Sequence, residues 1–204
     1  MTLRAKWQDR ETWFTAGHNL EGESVDAAAV LEPYNARVEP DDLVWHLGNL
    51  RATGTVKSHH DETAAVEMLG RLSVIAGPGD DYFAGAGEDF ELRAEMLDHA
   101  VPQVERIITG RGFRKHRIPV QVPLGFGFAP IALWSLPYSG TVETARWRPP
   151  IPTKSERLWI VHGQPQADGI ATNPASREIS VHRDLWAGAP VSIDDIREII
   201  RSHS

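Results

Sequence analysis

The chain has 204 residues, enough for one domain with a single hydrophobic core. Its 21 Lys and Arg against 28 Asp and Glu leave a net charge of −7 with His neutral, the wrong sign for a surface that tracks phosphates, so nucleic acid is not an expected partner. Cysteine is absent, which removes disulfides, thiolate nucleophiles, cysteine zinc sites and iron–sulfur clusters, whereas nine His beside 28 carboxylates are the raw material of a His/Asp metallohydrolase.

The first ten residues have no apolar core of a signal peptide, and the longest apolar run, Phe126 to Trp134, falls far short of the ~20 residues of a membrane span. A cytoplasmic protein without a membrane partner is therefore expected. Thr12 to Ala16 is a run of β-formers broken by Gly17, His18 and Asn19, a strand followed by a loop. Ser24 to Val38 is helix-like, with Ser24 as cap and an expected break at Pro33. Leu43 to Leu47 is an apolar strand ending at Gly48 and Asn49. Asp61 to Leu69 predicts a helix, and Leu72 to Ala76 a third strand closed by Gly77 to Asp81. The apolar spacing from Leu92 to Ile108 predicts a long helix kinked at Pro102.

The second half reads as strands: Arg117 to Val122, Pro130 to Ser135, Arg157 to His162, and Glu178 to Val181. Pro-rich Gly140 to Thr153 reads as a loop. Ser192 to Ser202 predicts a final helix, with Ser192 and Asp195 as a capping box and Ile193, Ile196, Ile199 and Ile200 on one face. No linker or repeat divides residues 1–204, so one α/β domain that passes into a β-rich half is expected, a layered sheet sandwich with helices outside. Chemistry in such folds gathers at strand-end loops, here His18-Asn19, Gly48-Asn49, Gly77 to Asp81, Ser135 to Tyr138 and His162 to Gln166.

Those loops and their flanks carry a resemblance. Tyr34–Gly48, Ile75–Gly77, Trp159–Gly163 and Asp184–Ile196 resemble, in order, segments of the small calcineurin-like metallophosphoesterases, over about Thr12 to Ile200. The resemblance implies a four-layer αββα sandwich of two mixed β-sheets flanked by helices. It also implies two metal ions held by carboxylate, His and Asn ligands on the strand-end loops. A two-metal site needs a bridging carboxylate and open positions for water and phosphate.

At each family motif this sequence departs from the ligand. The Asp-x-His after the first strand is deleted, leaving Gly17, His18 and Asn19. The Gly-Asp motif, whose Asp bridges the metals, is Gly48-Asn49. The Gly-Asn-His-Asp motif is Gly77-Pro78-Gly79-Asp80, in which only Asp80 remains. The lone His before Tyr-Pro is matched by Leu136, and Gly-His-x-His by Gly163-Gln164-Pro165-Gln166. These replacements cannot supply the anionic charge that holds two divalent cations together.

The residues left behind define a remnant pocket of His18, Asn19, Asn49, Asp80, His162, Gln164 and Gln166. Asn49, Gln164 and Gln166 are expected to converge as a neutral, donor-rich lining. His18 is expected to be satisfied by backbone, His46 and His162 to be structural core rings, and Asp80 to tie its own loop. His59, His60 and Asp61 read as the start of an exposed helix. The cluster Arg111, Arg114, Lys115, His116 and Arg117, or the Trp- and Arg-rich Arg146–Pro152 region, is the candidate surface for a protein partner. The expectation is a pseudoenzyme with no catalytic residue and no cofactor, acting by binding, and the 17 Arg to 4 Lys bias fits an actinobacterial or phage origin. The alternatives are an active phosphoesterase with a rebuilt or mononuclear Mn or Zn site, and a metal-free small-molecule sensor.

Overall fold

The computed structural model describes residues 10–20, 26–50, 68–77, 80, 104–108, 120–125, 127–139, 157–165 and 169–204. In chain order the elements are β1 (Thr12–Thr15), α1 (Ala27–Asn35), β2 (Leu43–His46), β3 (Arg71–Ile75), β4 (Val104–Ile108), β5 (Val120–Val122), β6 (Ile131–Trp134), β7 (Ile160–His162), β8 (Thr172–Asn173), β9 (Glu178–Ser180), β10 (Val191–Ser192) and α2 (Ile193–Ser202). They form two five-stranded sheets, ordered β10-β1-β2-β3-β4 and β5-β6-β7-β9-β8. β1 to β4 are parallel, with β10 antiparallel on the β1 edge. β6, β7 and β9 are parallel, with β5 and β8 antiparallel at the two edges. Both sheets are thus mixed, and the fold is α+β.

Alternation along the strands sorts side chains into two cores. Phe14, Ala16, Leu47 and Ile75 of the first sheet join Leu133, Val161, Ile179 and Val181 of the second in the core between the sheets, which also takes Ile196 and Ile200 of α2. Trp13, Val44, Leu72 and Val74 point the other way and pack with Leu31 and Tyr34 of α1. The first sheet is therefore buried on both faces, as expected for parallel strands.

The final helix matches its expectation. The Ser192 hydroxyl accepts from Asp195 N at 3.0 Å while the Asp195 carboxylate accepts from Ser192 N at 3.0 Å, a complete capping box. α1 starts later than expected and is capped by Asp26, whose carboxylate accepts from Ala29 N. Pro33 does not break it. The proline lies in the last turn, where its lost N–H removes a single bond, and its ring packs beside Gly188.

The long helix expected over Leu92–Ile108 is wrong at its C-terminal end: Val104–Ile108 is a strand that pairs parallel with β3. β-branched Val104, Ile107 and Ile108 fit a pleated sheet as well as a helix face. Met68 and Leu69 are not helical. Leu69 N donates to the Asn35 side chain and Leu69 O accepts from the Tyr34 hydroxyl, which ties this segment to the end of α1. The remainder of the two middle helices, His59 to Asp61, the Arg111–Arg117 cluster and the Arg146–Pro152 region lie outside the described residues. None of the helices among the described residues is long and apolar enough to cross a membrane.

Candidate functional site

The loops that leave the strands meet at one end of the two sheets, and glycine makes the approach possible. A Cβ on Gly48 would lie 3.1 Å from the Gly77 Cα and 3.2 Å from the Ser135 Cβ, so the ends of β2, β3 and β6 are in contact. A Cβ on Gly163 would overlap the Leu47 carbonyl oxygen and fall 2.8 Å from the Ala16 Cβ, which sets the end of β7 against the ends of β1 and β2. Next to these, Gly17 N, Asn19 N and Leu20 N donate to Gly48 O, Asn49 O and Leu50 O at 3.1, 3.0 and 3.0 Å. Asn19 and Asn49 both take the left-handed backbone, φ 48° and 55°, which Asn tolerates better than most residues.

Asp80 holds this cluster from within. It is 1% exposed, and one carboxylate oxygen accepts from both Gly77 N and Asn49 N at 2.8 Å. It therefore ties its own loop, as expected, and also the loop of Asn49. Charge-assisted bonds to one buried and one half-buried amide are the stronger kind, and losing them leaves two N–H groups unpaired. Asp80→Ala is expected to lower stability by roughly 2–4 kcal/mol, read as a lower urea midpoint.

His18 has a partner that differs from the expectation. Its ring is buried, and Nδ1 meets Nε2 of His46 at 2.9 Å rather than a backbone group. The Tyr34 ring from α1 packs edge-to-face with the same ring, with centroids 5.4 Å apart. Burial first, then the charges of His46, Arg183 and His182, pushes His18 well below its ordinary pKa. Burial, with a smaller contribution from His182, holds His46 at about 3. Both rings are neutral at pH 7.

His162 is a separate case. Its Nδ1 accepts from Gln164 N at 3.3 Å, which assigns the ring proton to Nε2, and burial alone holds it at about 3. Gly163 faces Leu47, so strand alternation turns His162 to the far side of the second sheet, away from His18 and His46. The Gln164 carbonyl accepts from the Ser180 hydroxyl at 2.6 Å, which fixes the loop after β7 to β9. Asn19, Asn49 and Asp80 are thus brought together, Gln164 is anchored through its backbone, and Gln166 lies outside the described residues. Leu136 and Tyr138, on the segment after β6, are buried in the larger core cluster, and the Tyr138 hydroxyl donates to Leu158 O ahead of β7.

Sequence reasoning missed His182. It bridges to Ala16 beyond the end of β1, its ring lies over Gly17, and its Nδ1 is 3.5 Å from an Asp184 oxygen. A His directly after a predicted strand, followed two residues later by Asp, was the available signal. Among the described residues no three His, Asp or Glu side chains are grouped so as to hold a metal ion. The carbonyl oxygen of the Asn49 side chain is buried without a hydrogen-bond partner and carries no net charge.

In fold the chain is similar to the protein of unknown function AQ665 from Aquifex aeolicus, whose crystal structure aligns with a TM-score of 0.57 at 12% identity over 94% of this chain and 100% of that one. At this identity the likeness concerns the fold and carries no activity. No family model matches the chain, and no curated protein matches it.

Proposed function

We propose that the chain is a metal-free relative of the calcineurin-like metallophosphoesterases, with the four-layer αββα sandwich of that family, and that it acts by binding a protein partner rather than by hydrolysis. The resemblance supplies the family. Two mixed sheets with α1 on one face, and strand-end loops that meet at one end, are compatible with it.

The observation that carries the loss of hydrolysis is the state of Asp80 and Asn49. Two divalent cations need an anionic bridging ligand. Neutral Asn49 stands at that position, and the one carboxylate described beside it, Asp80, binds the backbone amides of Gly77 and Asn49. The donors that are described do not fit a two-metal centre, so no hydrolytic step is derived through one.

The purified chain, supplied with Mn²⁺ or Zn²⁺ and a chromogenic phosphodiester, is expected to show no turnover above the metal-only blank. Turnover above blank that Asp80→Asn abolishes, a variant that keeps an acceptor for the amides of Gly77 and Asn49, would overturn the proposal.

A further inference from the structure

We propose that His18 and His46 form an acid-released latch: as a neutral pair they pin the loop that follows β1 onto the end of β2, and on protonation they release it. His18 is 2% and His46 0% exposed, and the two rings meet with centroids 5.1 Å apart and His18 Nδ1 2.9 Å from His46 Nε2. One nitrogen of that contact donates and the other accepts, so it requires at least one unprotonated nitrogen between them. When both rings are charged, two N–H groups face each other.

The surroundings offer a cation nothing. The outer nitrogens, His18 Nε2 and His46 Nδ1, are buried with no hydrogen-bond partner. From α1 the Tyr34 ring packs edge-to-face with His18, and its hydroxyl donates to Leu69 O. The 3-10 turn after β9 brings His182, which opposes a proton on both rings, and Arg183, which opposes one on His18. Asp42 acts on Tyr34 rather than on the pair, and its carboxylate is engaged by Trp13 Nε1 and the amides of Glu11 and Glu39. Asp184 lies 3.5 Å from His182 Nδ1 and acts on that ring.

What the latch holds is defined. The ladder from Gly17, Asn19 and Leu20 to Gly48, Asn49 and Leu50 runs directly beside it, and the two left-handed Asn residues sit on that ladder. Release therefore exposes the Asn19 and Asn49 end of the strand-end cluster while the second sheet stays paired. The inference does not depend on the proposed function.

Amide hydrogen exchange by NMR, corrected for the intrinsic rate, tests it. Between pH 7 and pH 5 the protection of Gly17, Asn19 and Leu20 N–H is expected to fall by roughly several hundred-fold, because release lets both rings take up a proton, taking about 6.5 for a released His. The Ala132 N–H, bonded to Trp159 O in the second sheet, is expected to fall less. In His46→Gln, whose side-chain amide reaches the Nε2 position without titrating, the fall is expected to shrink to roughly 25-fold, the share of His18 alone. Protection that is unchanged, that falls in step with Ala132, or that falls equally in His46→Gln would overturn the latch. Should that variant not fold, imidazole ¹⁵N shifts of the wild type decide: the rings are expected to gain protons as the three amides lose protection, and protonation with protection intact contradicts the proposal.

Discussion

Gly163→Ala is expected to destabilise the protein by at least about 3 kcal/mol, enough to lower the urea midpoint sharply or prevent soluble expression. The added methyl would overlap the carbonyl oxygen of Leu47 and press on Ala16. Neither obstacle is the movable tip of a long side chain. Leu47 N donates to Thr15 O at 2.8 Å and Gly163 N to Ser135 O at 3.3 Å, so both backbones are held in place. Room for the methyl would require the two sheets to separate at the end where their loops meet. A Gly163→Ala midpoint within a few tenths of a molar of wild type would show that the sheets do not approach this closely.

Acid is expected to have the other large effect. His46 and His162 are held at about 3 in the folded chain, against about 6.5 when unfolded. A depressed folded value means that the unfolded chain binds the extra proton. The stability these rings contribute is thus complete above pH 6.5 and is lost progressively as pH falls toward 3. At pH 4.5 the loss reaches roughly 2–3 kcal/mol per ring, so two rings remove a large part of the 5–15 kcal/mol that typically holds a domain together. Urea midpoints at pH 7 and pH 4.5 measure the total. His162→Asn isolates one ring, because its amide oxygen can accept the Gln164 N–H that the ring now accepts. The variant is expected to lose less stability than wild type between the two pH values. Equal losses would show that His162 does not stay neutral in the folded chain.

Much of the fold was legible wherever local pattern and tertiary environment agree. Thr12–Thr15, Leu43–His46 and Ile131–Trp134 are short apolar runs bounded by glycine or proline, and they are strands. The Ser192 and Asp195 box stood out because both members lie within one turn of the helix they cap. The failures come from segments whose pattern supports two answers. Val104, Ile107 and Ile108 suit a helix stripe and a buried strand alike, and pairing with β3 decides. β8 and β10 are two residues each, too short to show alternation, and exist because β9 and β1 offer them an edge.

The site was legible in its loops and not in its contacts. Strand ends at Asn49, Gly77 and His162 could be placed from glycine positions, because only glycine allows the close approaches they make. Asp80 was correctly read as tying its loop, but its second bond, to Asn49 N, crosses between strands. The His18 to His46 contact spans 28 residues of sequence and depends on which face of β2 His46 occupies. Parity with Val44, which packs toward α1, would have placed it on that face. Nothing local could have said that the loop after β1 returns His18 to the same side.

Calorimetric titration of the chain with Mn²⁺ and then Zn²⁺ at pH 7 tests most directly whether the strand-end cluster has given up its metals. Heats that match dilution, with no saturable site, are the predicted result. Saturable binding of one or two equivalents that is lost in Asp80→Asn, which keeps an acceptor for the amides of Gly77 and Asn49, would contradict the account, because it would mean that the Asp80 carboxylate serves a metal.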